Sequence, residues 1–154
     1  IKDVSKKLNT ALIKKKMDTL QNHFKKLFKK RPKIGILGLN PHNGELSKES
    51  EEIKIIIPSI LKFKKKKFLI EGPLSADTLF VDNYKKYDVI VGMYHDQVLT
   101  PFKSLFKFDA INITLGLDYL RISPDHGPAK DIIKKNKANH KSLLSCVHFI
   151  NKLS

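Results

Sequence analysis

Lys33-Ile34-Gly35-Ile36-Leu37-Gly38-Leu39-Asn40-Pro41-His42 is the stretch whose reading decides the fold. Lys33 to Leu39 is a short apolar run that reads as a buried strand, and Asn40-Pro41-His42-Asn43-Gly44 reads as the loop that leaves it. A second stretch repeats the arrangement, with the run Asp88 to Met93 leading into Met93-Tyr94-His95-Asp96-Gln97. Each stretch places a histidine just past the carboxyl end of a strand, the edge of an open α/β sheet where loops converge on a ligand crevice. Two imidazoles in one crevice, with Asp96 and Glu45 nearby in sequence, suggest a divalent-metal site of mixed nitrogen and oxygen donors. Either histidine alone would read as an ordinary loop residue; the matched contexts favour function.

Outward from these strands, residues 3–29 read as one helix. Val4, Leu8, Ala11 or Leu12, Leu20, Phe24, Leu27 and Phe28 recur on one face with lysines opposite, and Arg31-Pro32 closes it. A second helix starts near Ser50 as N-cap, with Glu51 and Glu52 in its first turn, and ends in the Lys64 to Lys67 cluster. Phe68 to Glu71 reads as a strand broken by Gly72-Pro73-Leu74. Ser75 or Asp77 caps a brief helical turn, Tyr87 to Met93 is a strand, and Tyr94 to Leu99 is its functional loop. Ala110 to Leu115 and Leu120 to Ser123 are extended, followed by helices over 129–135 and 141–153. This alternation implies an α/β sheet with helices on both faces, a three-layer α/β/α arrangement. No internal repeat or interdomain linker interrupts it.

With 154 residues, the chain is long enough for one domain with a real core, or for a large piece of something bigger. The start at Ile1, without Met, reads as a truncated or processed end. No secretory signal is read in the opening residues. The most apolar stretch, Ile53 to Leu61, is broken by Lys54 and Pro58, too short to span a membrane. The single cysteine, Cys146, excludes an internal disulfide, fits a reducing cytosol and reads as a buried small hydrophobe. A net charge of +15 invites a nucleic-acid reading. Against it, all but Arg31 and Arg121 of the 30 basic residues are lysine, whereas recognition of phosphates and bases favours the two-pronged guanidinium.

The motifs in order resemble the 4-hydroxythreonine-4-phosphate dehydrogenase family of vitamin B6 biosynthesis. Gly38 to His42, Gly72 to Phe80, Met93 to Gln97, Asn112 to Leu117, and Arg121-x-Ser123-x-Asp125-His126-Gly127 carry the resemblance, which covers essentially the whole chain. It implies a fold like that of isocitrate and isopropylmalate dehydrogenases. The family is about twice this length, so this chain resembles its C-terminal half, with the N-terminal half absent.

The resemblance implies oxidation of 4-phosphooxy-L-threonine by NAD or NADP, followed by decarboxylation, with a divalent metal (zinc, magnesium or cobalt). His42 and His95 match two of three metal-ligating histidines, and no residue here matches the first. Lys103, Asn112 and Arg121 match substrate-contacting positions. Asp96 is read as orienting a ligating imidazole or capping a helix, and Asp125 and His126 as the pocket edge. Arg121 also draws notice on its own, as a guanidinium kept between Leu120 and Ile122 in a lysine-dominated chain; the alternative is a structural ion pair with Asp125. No catalytic acid or base is assigned. His23 and His140 are expected at the surface and His148 in the core. No Gly-x-Gly-x-x-Gly fingerprint is present. The resemblance further implies a cytoplasmic homodimer with its site near the subunit boundary, without a nucleic-acid or membrane partner. The competing readings are a degenerate non-catalytic piece of this family and a basic nucleic-acid-binding module.

Overall fold

β1 (Lys33–Leu37) is short because every residue after Lys33 must be buried: Ile34, Ile36 and Leu37 are wholly inaccessible. The computed structural model describes residues 3–127, 130–133, 135 and 137–153, which divide into two compact units, Ile1–Pro101 and Phe102–Ser154.

In the first unit β1 is the central strand of a parallel sheet of order β2-β1-β3, with β2 at Leu69–Leu74 and β3 at Val89–Val91. Ile34, Ile36 and Ile70 pack on the helical layer, against Leu8, Ile13 and Met17 from the N-terminal segment and Ile56, Ile60 and Phe63 from the segment that starts at Glu52. Burial of each such side chain contributes about 1.5–3 kcal/mol. Over Gly35, Leu74 and the Tyr87 ring approach so closely that a Cβ would lie 2.9 Å and 3.1 Å from them.

The predicted first helix is two. α1 (Val4–Lys7) stops at Leu8, and α2 (Thr10–Phe28) begins after Asn9, whose side chain accepts the Leu12 N–H at 2.8 Å. Asparagine competes with helical hydrogen bonding in an interior and satisfies it at an N-cap, so the helix restarts there. Leu8, at the junction, is buried. The helix expected from Ser50 opens as a wide π-helical turn, Glu52–Ile56, before α3 (Ile57–Lys65).

β2 is not broken at Gly72-Pro73; it continues to Leu74 with a register irregularity opposite Gly35 to Leu37. As an edge strand it tolerates a proline that cannot donate. A Cβ at Gly72, where φ is +143°, would sit 2.4 Å from the Ile36 carbonyl oxygen. α4 (Ala76–Thr78) follows. Past β3 the expected loop Tyr94 to Leu99 is mostly helix: α5 runs His95–Phe106, and the division between units falls within it, after Pro101.

The second unit contains β4 (Ile111–Thr114) and β5 (Arg121–Pro124), an antiparallel pair separate from the parallel sheet. Residues 115–120 are a short connection, which suits an antiparallel return rather than a crossover. α6 (Lys141–Asn151) packs on both strands, burying Ser142 and Cys146. His148, expected in the core, is exposed, because the buried face of α6 is set by Ser142 and Cys146 and His148 lies off it. Of the helix expected over 129–135, Lys130–Ile132 forms a 3₁₀ turn, while Ala129 and Lys134 lie outside the described residues.

Candidate active site

Where β1 ends, Gly38 donates its N–H to the Leu74 carbonyl at 3.1 Å. A Cβ at Gly38 would collide with Asn43 Oδ1 at 2.2 Å and crowd Glu52 Oε1 at 3.0 Å, so the strand can leave the sheet here only as glycine. The chain then winds through Pro41–Leu46, in which His42, Asn43, Gly44, Glu45 and Leu46 all have positive φ, from 49° to 59°. A left-handed residue with a Cβ costs roughly 1–2 kcal/mol, so such a run persists only where its surroundings impose it. Asn43 is tied by its Nδ2 to the Pro73 carbonyl at 3.2 Å, while its buried Oδ1 has no hydrogen-bond partner among the described residues.

Glu52 imposes the conformation at the start of this loop. Although wholly inaccessible, its carboxylate has no cationic partner among the described ion pairs. Instead Oε1 accepts the backbone N–H groups of Leu39 at 2.7 Å and Asn40 at 2.8 Å, and Oε2 accepts Asn40 Nδ2 at 3.0 Å. Burial pushes the Glu52 carboxyl up, but the donors of Asn40 and Leu39 outweigh it and hold the group below the ordinary carboxylate value. Sequence reading assigned Glu52 only to the helix dipole. The signal it missed is spacing: Glu52 falls on the stripe of Ile56 and Ile60, at four-residue steps along the buried face.

His42 stands on this loop, exposed, with Nδ1 3.7 Å from Asp77 Oδ2 of α4. His95 opens α5, also exposed, with Nδ1 2.7 Å from Asp96 Oδ1. At His95 the hydrogen bond from Nδ1 leaves Nε2 for another partner, the arrangement metal-bound histidines commonly adopt; at His42 the carboxylate is near but beyond hydrogen-bond distance. β1 and β3 are adjacent parallel strands, so both histidines follow the same edge of the sheet. Gln97 joins the two loops: Nε2 donates to the Gly38 carbonyl at 2.6 Å, and Oε1 accepts the Met93 N–H at 2.7 Å. Among the described residues no three His, Cys, Asp or Glu side chains converge to enclose a metal ion. The donor chemistry therefore fits a divalent cation as two imidazole ligands, and not as a complete set.

In the second unit, Lys103 Nζ donates to the Asp125 carbonyl at 2.7 Å and meets Asp125 Oδ2 at 2.5 Å. The ion pair considered between Arg121 and Asp125 is therefore replaced by Lys103 with Asp125, and Arg121 Nη1 donates to Thr114 Oγ1 at 2.9 Å instead. The ladder pairs Asn112 with Ser123 and Thr114 with Arg121, so Asn112 and Arg121 share one face of it and Ile111, Ile113 and Ile122 the other. Both Asn112 and Arg121 are exposed. Asp125 is fixed from behind: its N–H donates to Ser142 Oγ at 2.8 Å, and that hydroxyl donates to the Ala110 carbonyl at 2.5 Å. His126 is exposed and lines a cavity of about 350 Å³ with Phe108, Ile132 and Asn139.

Comparison with known proteins bears on these residues. The family model described as Pyridoxal phosphate biosynthetic protein PdxA matches residues 1–150. A 4-hydroxythreonine-4-phosphate dehydrogenase of Aquifex aeolicus is 44% identical over 154 residues, covering 99% of this chain and 48% of its own length. One from Sulfurihydrogenibium sp. is 43% identical over 151 residues, covering 96% and 46%. Among solved structures, 4-hydroxythreonine-4-phosphate dehydrogenase from Klebsiella pneumoniae superposes with a TM-score of 0.79 at 33% identity, over 99% of this chain and 46% of that one. The chain thus spans about half the length of the curated relatives it matches.

Proposed function

Since the chain belongs to the pyridoxal phosphate biosynthetic protein PdxA family, we propose that it carries the metal- and substrate-binding portion of an NAD(P)-dependent 4-hydroxythreonine-4-phosphate dehydrogenase. The reaction is oxidation of the secondary alcohol of 4-phosphooxy-L-threonine. Hydride passes to the nicotinamide, the hydroxyl proton is released, and the β-keto acid loses carbon dioxide to give 3-amino-2-oxopropyl phosphate. The observation that carries this reading is the pair His42 and His95, on loops leaving neighbouring parallel strands, each with a carboxylate near Nδ1.

His42 and His95 would hold a divalent ion through Nε2, with Asp96 hydrogen-bonded to Nδ1 of His95 and the Asp77 carboxylate near Nδ1 of His42 at 3.7 Å. The ion supplies Lewis acidity, favouring loss of the substrate's hydroxyl proton and stabilising charge that develops on oxygen during decarboxylation. Arg121 and Lys103 offer fixed positive charge for the phosphate and carboxylate of the substrate. Lys103 is held by Asp125, and Arg121 presents a planar fork beside Asn112 on the exposed face of the β4–β5 ladder. The whole enzyme acts as a cytoplasmic homodimer in this reading; Leu143, Leu144, Val147 and Ile150 leave an exposed apolar stripe on α6 available to a second copy.

Elemental analysis tests the metal assignment. In the complete enzyme His42→Ala and His95→Ala should each lose stoichiometric zinc or cobalt, while His23→Ala and His140→Ala keep it; full occupancy in either of the first two refutes the assignment. Because only two imidazoles are supplied here, the 154-residue chain alone should not turn over 4-phosphooxy-threonine. NAD(P)H formation on mixing with a separately made remaining half supports the proposal. Failure to restore turnover, with the metal retained, points to a degenerate, non-catalytic member.

A further inference from the structure

Gln97 does something no neighbouring side chain does: it bonds simultaneously to the loops that bear the two histidines. Its Nε2 reaches the Gly38 carbonyl, four residues before His42, and its Oε1 takes the Met93 N–H, two residues before His95. Both bonds are short, 2.6 Å and 2.7 Å, and part-buried, so water competes poorly for them. The amide satisfies both ends, because one contact needs a donor and the other an acceptor, and its nitrogen and oxygen supply one each. Glutamate would set an oxygen against the Gly38 carbonyl, and lysine would set a donor against the Met93 N–H. Gly92 leaves room for this arrangement: a Cβ there would lie 2.7 Å from Val98 Cγ1 and 3.4 Å from Gln97 Oε1. On the far side, Glu52 already fixes Leu39 and Asn40, so Gln97 completes the restraint between two loops that are otherwise strained or exposed.

We infer that Gln97 is a positioning residue that sets the separation and orientation of His42 and His95, touching neither imidazole. The inference rests on the reading of those histidines as ligands of one cation, and its test separates the two. Cobalt(II) is titrated into the complete enzyme, this chain together with the remaining half, as wild type and Gln97→Glu, with visible d–d absorption as the readout and urea midpoints recorded in parallel. The expected result is binding weakened by about tenfold or more and an altered absorption band, as for loss of a group that orients metal ligands. The urea midpoint should shift little, and Gln97→Met should resemble Gln97→Glu.

In the metal-free chain, amide hydrogen exchange should accelerate by about tenfold in Gln97→Met, at both Gly38 to Asn43 and Gly92 to His95. Exchange in α2 should be unaffected. Unchanged cobalt affinity and spectrum together with unchanged loop exchange would overturn the inference. If cobalt binding is absent in the wild type, or survives His42→Ala and His95→Ala, the ligand reading fails by itself. The exchange measurement then still decides whether Gln97 holds the two loops.

Discussion

Glu52 is a wholly inaccessible carboxylate whose partners are backbone and amide N–H groups. Truncation to alanine leaves the part-buried N–H groups of Leu39 and Asn40 without their carboxylate acceptor, while Asn40 Nδ2 keeps its bond to Glu51 Oε2. We expect Glu52→Ala to cost about 3 kcal/mol or more in urea unfolding, the scale of losing one member of a buried charge-assisted set. The sign of the pH dependence follows from the depressed carboxyl. Folding releases the proton, so the group's contribution is fully present above its ordinary value of 4.5 and is lost as pH falls through that value toward the lower folded one. The stability gap between wild type and Glu52→Gln should therefore narrow as the pH is lowered from about 6 to about 3; a gap independent of pH would show that folding leaves this carboxyl unshifted, and the opposite trend that it is neutral in the native state. Arg121→Lys belongs to the same scale. If the guanidinium grips phosphate or carboxylate with two prongs, lysine should weaken substrate binding by about 2 kcal/mol, leaving cofactor affinity near wild type.

At the scale of elements, two joints hold the site-bearing edges. β2 lies against β1 at Gly72, where a Cβ would meet the Ile36 carbonyl oxygen and where φ is +143°. Gly72→Ala combines left-region strain with a clash against backbone that cannot turn aside. A loss of about 3 kcal/mol or more is expected from calorimetry or urea titration, larger than that of an exposed glycine-to-alanine change. In the second unit, Ser142 at the start of α6 ties the Asp125 turn to Ala110 at the head of β4. Ser142→Ala removes an acceptor and a donor at once, leaving two backbone groups unpaired. About 2 kcal/mol is expected, with faster amide exchange at Asp125 as the specific signature.

For the whole molecule, the net charge of +15 dominates behaviour toward polyanions. Lysines spread over polar helix faces release counterions from DNA but read no bases. Binding to a short duplex should be measurable at low salt and vanish near physiological ionic strength, with no difference between sequences. Tight, sequence-dependent binding at about 0.15 M salt would restore the nucleic-acid reading that two arginines argue against. The chain has no helix long and apolar enough to cross a membrane among the described residues.

What the sequence by itself determined was order and chemistry. The apolar run Lys33 to Leu39 and its counterpart before His95 read as strands followed by histidines, because a strand whose sides are both covered reads as a continuous apolar run; that they pair in parallel came from the structure. Local rules ran out where a residue's role depends on a partner far along the chain. Asn9 could have been read as a cap, but not Glu52 as the acceptor for a loop twelve residues earlier, nor Gln97 as the link between segments 59 residues apart. Pro73 looked like a strand breaker because its missing donor matters only if both edges are paired, and that is known once β2 is placed at the edge. The left-handed run from His42 to Leu46 has one glycine in five and no local reason to form. Its contacts outside the loop, Asn43 Nδ2 on the Pro73 carbonyl and Glu52 on the preceding Leu39 and Asn40, join residues that meet only after the chain has folded.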